Sequence, residues 1–258
     1  EEIVRQAQSV LEQAANIKDI AKRGKDPLAG ALKLGVIYTI APYLLPDLVR
    51  QVITRTPQMP LMLQENFTVK LLEMLRTGEI DCAILAEPFP DAGLAIAPLY
   101  DEPFFAALPR DHPLAQHSSV SADALKNETM LLLGNGHCFR DHVLEVCPEF
   151  ARFSSNAEGI RKSFEGSSLE TIKHMVAAGM GITLVPRLSV PEGALLPKKR
   201  GKDEAFVKYL PVQDDKGAPP PTRRVVLAWR RSFTRYEAIA ALRNAVYACA
   251  LPGVTRLS

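Results

Sequence analysis

The most constraining feature of this sequence is an alternation of short apolar runs with amphipathic segments in the first third of the chain. Apolar runs at residues 32–38 and 80–86 predict buried strands, and residues 61–65 predict another strand. Between them, residues 42–55 and 69–76 carry apolar side chains at helical spacing. Strands that alternate with helices form a parallel sheet with right-handed crossovers, so the sequence predicts an α/β fold.

Later segments predict a second subdomain and a return to the first. Residues 101–108 are predicted to form one crossover strand, and residues 224–230 a strand that crosses back. We therefore predict a bilobal, periplasmic-binding-protein-like fold, in which two Rossmann-like subdomains are joined by crossover strands around a cleft. The predicted bounds are residues 30–101 and 228–258 for subdomain I, and residues 102–227 for subdomain II.

The first 24 residues predict one amphipathic helix. Its apolar side chains recur at alternating spacings of four and three, at Ile3, Ala7, Val10, Ala14, Ile17 and Ala21. The seam is short and rich in alanine, so the spacing alone leaves an ordinary surface helix as the alternative.

Composition excludes several classes of protein. The formal net charge is only +2, whereas a nucleic-acid-binding module normally has a concentrated basic face. No apolar run reaches about 18 residues and no signal-peptide pattern is found, so no membrane association is predicted. Four cysteines are too few for a secreted disulfide scaffold in a chain of this length, which predicts a cytoplasmic protein.

The segment 136–147 carries the most reactive combination of residues in the chain. The apolar run at residues 130–133 predicts a strand that ends at a glycine-rich turn, after which a helix begins near Cys138. A helix N-terminus favours an anion, and His137 and Arg140 add positive charge beside this thiol. We therefore expect the pKa of Cys138 to be lowered from about 8.5 toward the acidic end of the range of roughly 3.5–7.5.

The spacing of Cys138 and Cys147 predicts a disulfide that forms only with a change of conformation, and not one that stabilises a fixed structure. Nine helical residues rise about 13.5 Å and turn the chain by half a turn. A disulfide requires Cα atoms within about 7 Å, so the two thiols of a helical segment bond only after it unwinds.

Three further residues are singled out by their position near strands. Thr39 and Thr68 each lie between a predicted strand and the helix that follows it. A threonine hydroxyl at such a turn either caps the helix or binds a ligand. Cys82 lies inside an apolar strand, which predicts an unreactive core thiol.

The segment 136–147 resembles the redox motif of the peroxide-sensing members of the LysR-type transcriptional regulators. The resemblance extends to residues 34–46, 101–103, 168–171 and 175–186, and it therefore covers nearly the whole chain. The winged helix-turn-helix DNA-binding domain of the family is absent from this sequence. By the same resemblance, residues 1–24 are predicted to be the linker helix.

The resemblance implies a role for each candidate residue. Cys138 would be the peroxidatic cysteine, which hydrogen peroxide oxidises to a sulfenic acid, and Cys147 the resolving cysteine that forms the disulfide. The implied supporting residues are His137, Thr39 and Thr68 as donors to peroxide, Arg140 as the stabiliser of the thiolate, and Asp141 as a partner of Arg140 or a helix cap.

The resemblance also implies partners. Hydrogen peroxide would be the signal, with no cofactor, no metal and no enzymatic turnover. The regulatory domains would form a homodimer, and the full-length protein a homotetramer that binds DNA through its helix-turn-helix domain and activates antioxidant genes. RNA polymerase is a further candidate partner.

Three alternatives stay open at this point. The domain could bind a small-molecule effector without redox chemistry, since a fold does not decide a function. A thiol peroxidase is another alternative, although no docking site for a reductant is recognised. A metal site would use His137, Cys138, His142 and Cys147, but their spacing fits no common structural zinc pattern.

Overall fold

The computed structural model describes residues 26–150, 168–195, 206–213 and 219–257, together with positions 6, 7, 10, 14 and 17. These residues form two compact units. Unit 1 contains the described residues up to Leu99 and the segment Val225–Ala250. Unit 2 contains the described residues of Tyr100–Arg224 and of Leu251–Leu257.

Unit 1 begins with three strands that alternate with two helices, as the apolar pattern predicts. The elements are β1 (Leu32–Ile37), α1 (Ala41–Arg55), β2 (Leu61–Asn66), α2 (Thr68–Thr77) and β3 (Cys82–Ala86). Strand β1 lies between β2 and β3 and pairs in parallel with both. The predicted α/β fold with a parallel sheet is therefore confirmed for this part of the chain.

Local sequence signals account for the bounds of these helices. A proline in the first turn of α1 loses no helical hydrogen bond, because the first amides of a helix have no partner within it. Gly78 ends α2 in the left-handed conformation, with a φ of +76° that a side chain would strain.

Strand β4 (Leu94–Pro109) is the longest of the described strands and runs from unit 1 into unit 2. It begins seven residues before the predicted crossover at 101–108. In unit 2, β5 (Thr183–Pro186) and β6 (Val207–Pro211) pair antiparallel with β4. The described helices of this unit are α3 (Ala122–Leu125), α4 (Cys138–Val146) and α5 (Leu169–Ala177), with short 3₁₀ turns at Pro113–Gln116, Arg187–Ser189 and Glu192–Ala194.

The chain returns to unit 1 through β7 (Thr222–Arg230), and α6 (Tyr236–Ala248) follows. Strand β7 pairs antiparallel with β3, so the sheet of unit 1 is mixed and has the order β2-β1-β3-β7. The short strand β8 (Thr255–Arg256) pairs with β4 at Tyr100 and Asp101 in unit 2.

The predicted strand at residues 130–133 is wrong. Met130 forms only an isolated parallel bridge with Ile182. The backbone pairs here around one residue only: the Leu131 N–H donates to the Ile182 carbonyl and the Ile182 N–H donates to the Thr129 carbonyl, both at 2.8 Å. The Leu131 carbonyl instead accepts a hydrogen bond from the Thr183 hydroxyl at 2.8 Å. Because a side chain binds the Leu131 carbonyl, the backbone pairing stops at this one bridge and does not extend into a ladder.

The predicted helix at residues 1–24 is described at five positions only. The chain is helical at Gln6, Ala7, Val10, Ala14 and Ile17, and all five are exposed. The remainder of this prediction lies outside the described residues. None of the helices in the described ranges is both long enough and apolar enough to span a membrane.

Candidate functional site

The cysteine-containing segment folds as the helix α4, which begins at Cys138. A turn precedes it, in which Gly136 has a φ of +97°, a conformation that L side chains rarely adopt. His137 is the N-cap residue, with an extended backbone, and Cys138 is the first helical residue. The predicted position of Cys138 at a helix N-terminus is confirmed.

Cys138 lies where the backbone of α4 favours negative charge. The first amides of a helix have no carbonyl partner within it, and the helix dipole is positive at this end. Cys138 is partly exposed, and its thiol is not in a disulfide. The start of α4 therefore favours a negative charge at this position, and the side chain is partly accessible to solvent.

The polar neighbours of Cys138 lie on the same turn of α4. The guanidinium of Arg140 donates a hydrogen bond to the Leu133 carbonyl at 3.0 Å, which ties the first turn of the helix to the chain before it. Asp141 is exposed in the first turn, where a carboxylate interacts favourably with the helix dipole. His137 is buried. Their predicted roles toward the thiolate and toward peroxide stay predictions.

One side of α4 packs within unit 2 through Phe139, His142 and Val143, which are buried. The ring of Phe139 lies edge-on to Phe104, with ring centroids 5.3 Å apart. On another side, the guanidinium carbon of Arg223 is 5.3 Å from the centre of the Phe139 ring. One aromatic side chain, next to Cys138 in sequence, therefore anchors the first turn of the helix.

Arg223 belongs to a buried ion pair that the sequence analysis did not predict. Its Nε and Nη2 atoms lie 2.9 and 2.8 Å from Oε2 of Glu102, whose other oxygen accepts the Leu188 N–H at 2.7 Å. The two charged side chains are only 1% and 0% exposed. Glu102 and Arg223 are 121 residues apart, so no local pattern could have paired them.

Cys147 lies at the other end of α4, as the C-cap residue, and is fully buried. Burial raises the pKa of its thiol to about 12, and the negative charge of Glu149 contributes. None of the four cysteines is in a disulfide. The nine-residue helix separates the two thiols by a rise of about 13.5 Å, which prevents them from bonding while it stays folded.

The remaining cysteines are core residues. Cys82 and Cys249 are buried, and burial raises the pKa of the Cys82 thiol well above its usual value. The prediction that Cys82 is a core thiol is confirmed. Across the described ranges, no group of three or more His, Cys, Asp or Glu side chains is placed to hold a metal ion, which includes the four residues of the metal alternative.

Thr39 and Thr68 lie in unit 1, at two neighbouring turns where parallel strands end. The register of β1 with β2 pairs Ile37 with Asn66, so the two turns are adjacent. Both threonines are buried. The N-cap residues of α1 and α2 are Ile40 and Phe67, so neither threonine is the cap of its helix.

The fold and the cysteine-containing helix can now be compared with known protein families. The LysR substrate binding domain matches residues 25–248. The chain belongs to the LysR-type transcriptional regulators. As a regulatory domain of that family it is not an enzyme, and the family recognised in the sequence is confirmed.

Relatives of this LysR-type domain include hydrogen peroxide-inducible genes activators and OxyR proteins. A hydrogen peroxide-inducible genes activator of Pectobacterium carotovorum is 36% identical over 241 residues, which cover 92% of this chain and 74% of that protein. The reduced form of OxyR from N. meningitidis is 41% identical, with a TM-score of 0.78, covering 88% of this chain and 99% of that one. A hydrogen peroxide-bound mutant of Corynebacterium glutamicum OxyR is 30% identical, with a TM-score of 0.75, covering 96% of this chain and 73% of that one.

Proposed function

We propose that this OxyR-like domain senses hydrogen peroxide by forming a disulfide between Cys138 and Cys147. One observation carries the proposal: a partly exposed thiol at the start of α4 and a buried thiol at its end, both reduced. The similarity to OxyR proteins supports it, and one of them has been found with hydrogen peroxide bound.

The first step is oxidation of Cys138. Its thiolate attacks one oxygen of hydrogen peroxide, the O–O bond breaks, and hydroxide leaves while the sulfur becomes a sulfenic acid. Donors that orient the peroxide and stabilise the leaving hydroxide lower the barrier, and we assign this role to His137, Thr39 and Thr68. We assign to Arg140 the stabilisation of the thiolate, and to Asp141 the orientation of Arg140.

The second step joins the two cysteines. The sulfur of Cys147 attacks the sulfenic sulfur of Cys138, a disulfide forms, and water leaves. Because α4 keeps these atoms apart, residues 138–147 have to refold before the bond can close. The buried face of the helix, with Phe139 at its centre, then loses its packing, and this change is the output of the sensor.

The refolding of residues 138–147 would change how the subunits of the oligomer are arranged. We propose a homodimer of regulatory domains and a homotetramer of the full-length protein, in which oxidation changes how the DNA-binding domains sit on DNA. Activation of antioxidant genes would follow, through RNA polymerase at the promoter.

Mass spectrometry of the native domain tests the proposed function. One equivalent of hydrogen peroxide should remove two hydrogen atoms, and peptide mapping after thiol trapping should place the new bond between Cys138 and Cys147. Cys82 and Cys249 serve as internal controls, since both thiols are buried. Both should stay reduced and should become alkylated only after the protein is unfolded. If both α4 thiols were still reduced at that dose, the redox proposal would be wrong, and a small-molecule effector would be sought instead.

Weakening α4 should accelerate the second step alone. Glu145 is exposed in this helix, and replacing it by glycine destabilises the helix by about 1 kcal/mol relative to alanine. We expect the disulfide to form about fivefold faster in Glu145→Gly than in the matched control Glu145→Ala. A difference of about 1 kcal/mol raises the fraction of molecules in which α4 is unfolded by about that factor. Quenched-flow trapping of the sulfenic acid at excess peroxide measures both steps. Equal rates in the two variants would contradict the unwinding step.

A further inference from the structure

Phe139 is the only Phe, Tyr or Trp in the segment 138–147, and it is 1% exposed. Two side chains contact its ring. The ring of Phe104, on β4, meets it at 90° with the centroids 5.3 Å apart, and the guanidinium carbon of Arg223, on β7, lies 5.3 Å from its centre. We call these three side chains the aromatic–arginine cluster, and all of them belong to unit 2.

The orientation of the Arg223 guanidinium is fixed by Glu102. Its Nε and Nη2 atoms lie 2.9 and 2.8 Å from Oε2 of this carboxylate, and the other carboxylate oxygen accepts the Leu188 N–H at 2.7 Å. Both charged side chains are buried, so bulk water does not compete for the guanidinium. A cation that is desolvated and already oriented interacts more strongly with an aromatic face than an exposed cation does.

The aromatic–arginine cluster joins the segment 138–147 to two strands outside it. Phe139 lies between the two cysteines of this segment, whereas Phe104 and Arg223 lie on β4 and β7. Under the proposed function, the disulfide unwinds α4 and displaces Phe139, but the ion pair on the strands stays in place. The contacts of the ring are then made in the reduced state alone. Contacts made in one of two states shift the equilibrium toward that state.

We propose that Phe139 is a positioning residue whose contact with Arg223 sets how readily the Cys138–Cys147 disulfide forms. The inference rests on the proposed function and names the contact that regulates it. The Glu102–Arg223 pair holds the ring, the ring holds the first turn of α4, and the folded helix keeps the two thiols apart. A weaker contact with the ring favours the disulfide, so the domain then responds to a lower concentration of oxidant.

A redox titration of the domain in glutathione mixtures measures this equilibrium. One glutathione disulfide takes two hydrogen atoms from the two thiols of α4 and becomes two glutathione molecules. Thiol trapping and peptide mapping give the fraction of protein with the Cys138–Cys147 disulfide. We expect Phe139→Leu to raise the equilibrium constant for this disulfide about tenfold, because the edge-to-face contact and the desolvated cation–π contact are both lost. Tenfold corresponds to a midpoint potential about 30 mV more negative.

A second background separates the contact with Arg223 from simple loss of packing. In Glu102→Met/Arg223→Met, apolar side chains replace the ion pair, so Phe139→Leu removes no cation–π contact. There it should raise the equilibrium constant only about threefold, since one of its two contacts is already absent. Val143→Ala is the matched control, because Val143 is buried on the same helix but is not in the cluster. Its effect should be the same in both backgrounds.

A fluorinated ring at position 139 tests the same contact while keeping the shape of the side chain. Site-specific incorporation of 3,4,5-trifluorophenylalanine withdraws electrons from the ring face and adds little volume. The attraction for the guanidinium therefore falls, and we expect the equilibrium constant to rise about threefold in the parent. In the double methionine variant, the same replacement should raise it by a smaller factor.

The outcomes distinguish this inference from the proposed function. If the parent forms the disulfide but Phe139→Leu changes the equilibrium constant by the same factor in both backgrounds, the ring acts by packing alone and the inference is wrong. An unchanged constant in Phe139→Leu would also overturn it. If no glutathione mixture produces the Cys138–Cys147 disulfide in the parent, the proposed function itself is wrong, and this inference is wrong with it.

Discussion

Replacing Cys138 by serine is expected to abolish the response to hydrogen peroxide, even though Cys147 is unchanged. Burial raises the pKa of the Cys147 thiol to about 12. At pH 7 only about one in 10⁵ of these thiols is then ionised, compared with about 3% of an ordinary cysteine with a pKa near 8.5. Since the thiolate is the nucleophile and Cys147 is also inaccessible, it cannot replace Cys138.

Alkylation of the native protein after a one-equivalent dose of hydrogen peroxide measures this result. In Cys138→Ser, we expect all remaining thiols to be recovered in the reduced form, with an oxidation rate lower by at least about 100-fold, as the fraction of thiolate requires. Cys249→Ser is the control, because the Cys249 thiol is buried at the end of α6 and takes no part in the proposed reaction. This variant should be oxidised at the same rate as the parent protein. Oxidation of Cys147 in Cys138→Ser at the parental rate would contradict the assignment of Cys138 as the reactive residue.

The reciprocal variant separates the two steps. In Cys147→Ser, Cys138 should still be oxidised, but the product should stop at the sulfenic acid, which a dimedone adduct detects. A disulfide to Cys82 or Cys249 in this variant would show that the segment 138–147 refolds more widely than α4 alone requires.

Removing the carboxylate of Glu102 should have the largest effect on stability. Glu102→Ala leaves the Arg223 guanidinium buried, at 1% exposure, without its carboxylate partner. Breaking a buried ion pair from one side costs about 3–5 kcal/mol, because the remaining charge has lost its solvation and gains nothing in return. Arg223 also lies against Phe139, so the loss should loosen the first turn of α4 as well. Equilibrium urea unfolding followed by circular dichroism measures the change.

The neighbouring residue provides the control. Asp101 makes two hydrogen bonds to Arg224, at 2.9 and 3.0 Å, but these side chains are 22% and 50% exposed. Asp101→Ala should therefore cost only about 0.2–1 kcal/mol, since water screens an exposed pair. If Glu102→Ala were no more destabilising than Asp101→Ala, burial of the ion pair would not determine the loss of stability. Glu102→Met/Arg223→Met should recover most of the lost stability, because apolar side chains need no partner.

Several parts of this fold follow from local sequence alone. The strands and helices from β1 to β3 were predicted within two residues at each end, because apolar spacing and the residues that begin and end helices act locally. The helix that starts at Cys138 was predicted in the same way, from a glycine-rich turn followed by an amphipathic segment. The candidate reactive cysteine, Cys138, could be predicted for the same reason, because its expected reactivity depends on its immediate neighbours in the sequence.

Other features depend on partners distant in the chain. The strand predicted at 130–133 does not form, because the Thr183 hydroxyl and the Arg140 guanidinium bind the carbonyls of Leu131 and Leu133. The Glu102–Arg223 pair and its contact with Phe139 join three distant segments, which no pattern of neighbouring residues encodes.

The sequence by itself therefore determined the α/β class, the family and the two cysteines at the ends of one helix. Spacing and local propensity are properties of adjacent residues, and they can be evaluated without knowing the fold. Only the tertiary structure decided which side chains anchor that helix, and that Cys147 is buried enough for its pKa to reach about 12. Burial and long-range contact are properties of the folded chain as a whole, since they depend on what surrounds a residue in space.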